Sequence, residues 1–248
     1  MVNIRFRILL LLLILTSLPH KALAQVELHE YQTKKIIERQ YQYKSMYLRW
    51  ISKAPDYAYG RIPNEYSFYS LVEAYTKGPD YKPMPEKQIN QLYQFSYDYS
   101  HKKTLEEKKQ ALRNFQNLLQ DHLANYDIVT TSIPLVRQYP ALGDLKILLW
   151  LEKGLINRAL NSGTGKVASE AYQIYTIGEE AAVLRNQNLQ VLETERLTNG
   201  DSYYNVYLTK NLKNGEINPI YMNVSYIHQR LIIEKKMENP YYSYSLEP

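Results

Sequence analysis

Residues 189–209 read LQVLETERLTNGDSYYNVYLT, two runs rich in β-branched and aromatic residues on either side of Asn199-Gly200-Asp201. Such side chains favour a pleated backbone, and an Asn-Gly step supplies the positive φ that a tight hairpin turn needs. The spacing predicts strands over Leu189–Thr198 and Tyr203–Thr209. Outward from this hairpin, Asn214-Gly215 marks a second turn, and Ile220 to Tyr226 reads as a further strand. On the other side, Tyr172, Ile174 and Thr176 alternate as in a strand, and Glu179 to Arg185 reads as a short helix. Residues 164–236 are therefore expected to form a small antiparallel β unit carrying one short helix.

Upstream the period changes to that of helices. Ile36, Ile37, Tyr43, Met46, Tyr47, Trp50 and Ile51 recur at near-3.6 spacing, and Ala54-Pro55-Asp56 stops the run. Asn64 is placed as the N-cap of a second helix that ends at Gly78-Pro79. Pro85 opens a third, marked by Ile89, Leu92, Tyr93 and Tyr97. The fourth has the best-defined start: Thr104 with Glu107 three residues on is a capping box, and Leu105, Leu112, Phe115, Leu119 and Leu123 form its stripe. Pro134 and Pro140 are expected to interrupt the segment from Asp127 to Tyr139. Residues 142–160 are apolar on most faces and belong at the centre of the domain. The fold class is thus α+β, with a helical region over 25–163, the β unit over 164–236 and a flexible Tyr-rich tail over 237–248.

At the junction of the two parts the residues become recognisable. Leu160 through Lys166, Ser169 to Tyr172, the pair Glu179-Glu180 with Leu184, and Ile220 to Val224 together resemble the domain of unknown function 4919 family, secreted proteins known mainly from Bacteroidetes. The similarity spans about residues 65–230, with Leu71, Tyr75, Gly78, Asp80 and Leu92-Tyr93 as its looser N-terminal part. Thr164 stands where that family has Asp, and Ala181 where it has an aromatic residue. Tyr139 to Asp144 resembles the inter-helix turn of a tetratricopeptide-like helix pair. The resemblance implies export and brings no catalytic residues with it.

The first residues point the same way. Arg5 and Arg7 precede the apolar run Ile8–Leu15, Pro19 breaks it, and Ala22-Leu23-Ala24 presents small residues at a cleavage site. The run is too short to span a bilayer, so residues 1–24 read as a cleaved signal peptide and not an anchor. With no cysteine in the chain, disulfides, thiolate chemistry and the lipoprotein route are all excluded. The expected location is the periplasm or the medium, with no transmembrane segment after cleavage. The formal charge of +5 includes Arg5, Arg7 and Lys21 of the signal, which holds no acid; the remainder carries only +2. That balance is no basis for nucleic-acid binding. All 25 tyrosines lie after the signal, a composition suited to half-buried faces and contact surfaces.

Local catalytic signatures do not appear. Gly163-Thr164-Gly165-Lys166 invites a phosphate-loop reading, but Leu160 stands at the first glycine position, Val167 follows the lysine, and a helix precedes the loop. Ser162, Gly163, Thr164, Gly165 and Lys166 are instead expected to be a structural junction, with Gly163 at positive φ ending the helix. The histidines after the signal, His29, His101, His122 and His228, lack metal-ligand spacing, and Asp121-His122 is expected on a solvated helix face. Glu179 and Glu180 are expected to point in different helical directions, and Asn223-Val224-Ser225, a formal glycosylation triplet, falls in a strand pattern. No cofactor or metal is implied. The reading favours a non-catalytic interaction protein of the cell envelope, whose partner would be an envelope protein, a peptide or a glycan. The alternative is a hydrolase with an acidic site assembled from distant segments. Protein recovered from the producing cell is expected to begin at Gln25; intact-mass measurement checks this, and a membrane-bound species retaining Met1 to Ala24 would overturn it.

Overall fold

Residues 68–238 are described by a computed structural model. The signal segment 1–24, the helix read from residues 36–51, the Asn64 cap and the tail from 239 onward lie outside the described residues.

Five helices come first: α1 (Phe68–Thr76), α2 (Glu86–His101), α3 (Leu105–Asp121), α4 (Tyr126–Gln138) and, after a 3-10 turn at Pro140–Leu142, α5 (Leu145–Leu160). A 3-10 turn at Ala168–Glu170 leads to β1 (Tyr172–Gln173) and α6 (Ile177–Asn186). Then come β2 (Leu189–Asn199), β3 (Ser202–Asn211), β4 (Ile217–Asn223) and α7 (Ser225–Glu238). The class is α+β. One hydrophobic core runs from Phe68 and Leu71 through Phe115, Ile128 and Leu155 to Ile174, Met222 and Ile227, so helices and sheet bury their apolar faces against each other.

Local signals account for most helix starts. The Thr104–Glu107 capping box is formed in full. Asn125 caps α4 by accepting from the Ile128 amide, and Asp144 caps α5 by accepting from Lys146 and Ile147. Pro134 does not break α4. It sits exposed on the outer side while Ile128, Val129, Ile133, Leu135 and Val136 are buried, and burial of that face outweighs one missing hydrogen bond. In α2, Tyr93 and Tyr97 face solvent and Leu92 is the fully buried apolar residue.

The sheet order is β1-β4-β3-β2. The expected hairpin is present: β2 and β3 pair antiparallel with Asn199 opposite Ser202, and Gly200 takes φ +58° at the first central position of the turn. Gly215 takes φ +78° in the second turn. Three expectations are corrected. The first strand is only two residues long and runs parallel to β4, so the sheet is mixed and not wholly antiparallel. The last strand ends at Asn223 and not Tyr226: the Asn223 side chain accepts from both the amide and the hydroxyl of Ser225, which turns the chain into α7. That helix continues to Glu238, so Met237 and Glu238 belong to it and not to a tail.

The loop 162–166 joins α5 to the sheet, for a different reason than expected. Gly163 is not at positive φ; Gly165 is, at φ +69°. Gly163 is required by crowding, because a Cβ there would lie 2.3 Å from the Glu170 carbonyl oxygen and 2.7 Å from that of Ala171. The amides of Thr164 and Gly165 both donate to the Glu170 carbonyl, the Gly165 carbonyl accepts from Tyr221, and the Ser162 hydroxyl accepts from the Gln173 amide. The N–H groups that would cradle a phosphate are thus turned onto the protein's own backbone. Gly163→Val is expected to cost about 1–3 kcal/mol of stability and Lys166→Ala, an exposed side chain, less than about 0.5 kcal/mol, as read by urea unfolding.

Candidate functional site

The alternation of side chains along a hairpin collects residues far apart in sequence on one face. Thr194, Arg196 and Thr198 of β2 lie opposite Tyr207, Asn205 and Tyr203 of β3, so these six share a surface. Facing them across a groove of about 610 Å³ are Ile227, His228, Leu231 and Lys235 of α7, with Ile177 and Glu180 of α6 at its inner end. Two other depressions, around 116–148 and 136–146, hold only exposed ionisable groups.

The second wall is fixed by long-range ties. Lys82 Nζ meets Glu234 Oε1 at 2.7 Å, and Arg230 donates to the Pro79 carbonyl at 2.8 Å. The Tyr226 ring packs 5.0 Å from that of Tyr175, and Ile227 enters the core. These contacts hold α7 over the hairpin.

Three ionisable groups in the groove are shifted. Glu180 is held at both oxygens: Asn205 Nδ2 donates to Oε1 at 2.7 Å and the Tyr207 hydroxyl to Oε2 at 2.8 Å. Burial nevertheless raises its pKa above the usual glutamate range, against the opposing pull of those two bonds and of Arg196. The Tyr207 hydroxyl is pushed up by burial and by the Glu180 charge. The His228 ring stacks on Tyr203 with centroids 3.6 Å apart, and its Nδ1 is buried without a hydrogen-bond partner. Burial lowers its pKa, and the positive charges of Arg196 and Lys235 lower it further. Both effects favour the neutral ring. Arg196 is exposed and makes no hydrogen bond or ion pair among the described residues.

The residues singled out from sequence fall elsewhere. None of Ser162, Gly163, Thr164, Gly165 and Lys166 lines the groove. Glu179 and Glu180 do diverge: Glu179 points into the core against Arg158, and only Glu180 reaches the groove. His122 is not on a solvated face. It is buried at the end of α3 with its Nδ1 2.9 Å from the Tyr75 hydroxyl, and burial lowers its pKa. Among the described residues no group of three or more His, Asp or Glu is arranged to hold a metal, and no helix is long and apolar enough to cross a membrane. Arg196, Asn205, Tyr207 and His228 were not legible as a set. The i, i+2 spacing of Tyr203, Asn205 and Tyr207 is the one signal that placed part of it on one face.

No protein-family model matches the chain, and no match is found among the curated proteins or the solved structures.

The sign of the Glu180 effect follows from linkage. A carboxyl whose folded-state pKa is raised contributes stability that is complete below the unfolded glutamate value and is lost as pH rises through the raised folded value. Glu180→Gln keeps an acceptor for Asn205 and a partner for Tyr207 while removing the charge. It is expected to gain stability over wild type at neutral pH, with the gain vanishing on acidification; melting temperature against pH measures both limbs.

Proposed function

We propose that this chain is an exported, non-catalytic binding protein of the bacterial cell envelope, with the groove between the β2–β3 hairpin and α7 as its ligand seat. The observation that carries this is the wall itself, in which Tyr203 and Tyr207 stand beside Leu231 and Ile232 and offer apolar rings with polar tips. Export rests on the signal-like segment 1–24, and the resemblance to the 4919 family rests on the residues quoted for it.

A hydrolase is the second reading, because Glu180 and His228 line the same groove and both carry shifted pKa values. General acid or base work needs a carboxyl free to reach a substrate. Both Glu180 oxygens already accept from Asn205 and Tyr207, which makes this carboxyl part of the wall.

The test pairs binding with turnover. Immobilised mature protein is expected to retain a ligand from envelope extract, to lose it in a Tyr203→Ala, Leu231→Glu variant, and to keep it in Tyr97→Ala, whose ring lies outside the groove. Peptide, ester and glycoside panels are expected to show no turnover. Reproducible turnover abolished by Glu180→Gln would overturn the binding reading.

A further inference from the structure

Beside the groove, β2 is the edge of the sheet, and among the described residues it pairs only with β3. Ten of its eleven residues are exposed, so its outward N–H and C=O groups meet solvent along the whole strand. Such an edge is a template for another strand. Its charges alternate by face: Arg196 lies on the groove face with Thr194 and Thr198, while Glu193 and Glu195 lie on the opposite face, across from Leu208 and Val206.

We propose, resting on the binding reading above, that the ligand is an extended peptide that adds to β2 as a fifth strand. It carries a carboxylate side chain against Arg196 on the groove face and basic side chains against Glu193 and Glu195 on the other. Main-chain hydrogen bonds to the edge supply affinity, and the alternating cross-strand charges set register, since a one-residue slip turns every side chain to the wrong face. Residues of the peptide two positions either side of its acid fall opposite Thr194 and Thr198, on the groove face.

The same charges disfavour a second copy of this chain in the central registers of β2. Two-fold antiparallel pairing of β2 centred on Thr194 sets Glu193 against Glu195 twice, and centring on Glu193, Glu195 or Arg196 sets each against itself. A peptide of complementary alternation meets no such repulsion.

The probe is a capped, fluorescently labelled peptide of about nine residues with a central valine-threonine-glutamate-lysine-valine-lysine pattern, which read antiparallel to β2 falls opposite Thr198 through Glu193 in turn, titrated against the mature protein by anisotropy. Saturable binding is expected. Exchanging its lysines and glutamate is expected to weaken binding roughly tenfold or more, and Arg196→Glu to reverse the preference. Two further peptides carry N-methyl groups on one or the other alternate set of amides. Only one set faces β2, so one peptide should lose binding and the other keep it. Equal behaviour of the two methylated peptides, an unchanged preference in Arg196→Glu, or a β2-mediated dimer in sedimentation would overturn the proposal. Indole, followed by NMR at Tyr203 and His228, separates the two levels. If indole occupies the groove while no peptide binds, the strand-addition proposal falls and the binding groove stands; if neither binds, both fall.

Discussion

A guanidinium and a carboxylate meet inside this protein with almost no water around them. Arg158 Nη2 lies 2.6 Å from Glu179 Oε1, with side chains 1% and 0% exposed. Taking two charges out of water is costly, and the pair persists because each member has further partners. Arg158 also donates to the Gln173 carbonyl and lies 4.6 Å over the Tyr175 ring. Glu179 accepts the Tyr175 amide, and the Tyr81 hydroxyl donates to the Tyr175 carbonyl. The contact between the two charges is not itself aligned as a hydrogen bond, and Arg158 Nε is left without one, so the attraction is mainly coulombic. Removing one partner of such a pair typically costs about 3–5 kcal/mol, because a lone charge is left buried.

Around that pair the rest of the molecule finds its place. Arg158 belongs to α5, Glu179 to α6, Gln173 to β1 and Tyr81 to the loop after α1, so one polar cluster fixes four segments in relation to each other. A second cluster does the same nearby, where the Tyr75 hydroxyl meets His122 and Asn125 and accepts the Lys82 amide. Lys82 in turn holds Glu234 of α7. The wall of the groove is therefore set by residues that never touch it. Glu180 shows the consequence most directly: one helical step from the core-facing Glu179, it is delivered to Asn205 and Tyr207 by the position that the buried pair imposes on α6.

Where a sequence signal and a burial signal disagreed, burial prevailed. Pro134 lies in the interior of α4 because seven neighbours on that helix are buried. His122, adjacent to an acid and at a helix end, looked like a solvated residue, yet it closes a polar cluster under α1. Gly163 was recognisable as obligatory, but the cause is not the helix end: it is the Glu170 backbone folding back onto the junction. In each case the deciding partner comes from another segment of chain, which periodicity does not report.

By itself the sequence determined what local physics controls. The cap at Thr104, the glycine turns at Gly200 and Gly215, and the change from helical to strand period settled the α+β class and most element positions. It did not determine α7, whose apolar residues Ile227, Leu231, Ile232 and Ile233 are spread around the helix without a single stripe. That segment is held by Lys82, Pro79, Tyr175 and Tyr203, all supplied from elsewhere in the fold. Only the tertiary structure decided the groove, because its two walls come from elements that no local pattern brings together and its chemistry arises from burial that exists only once they have met.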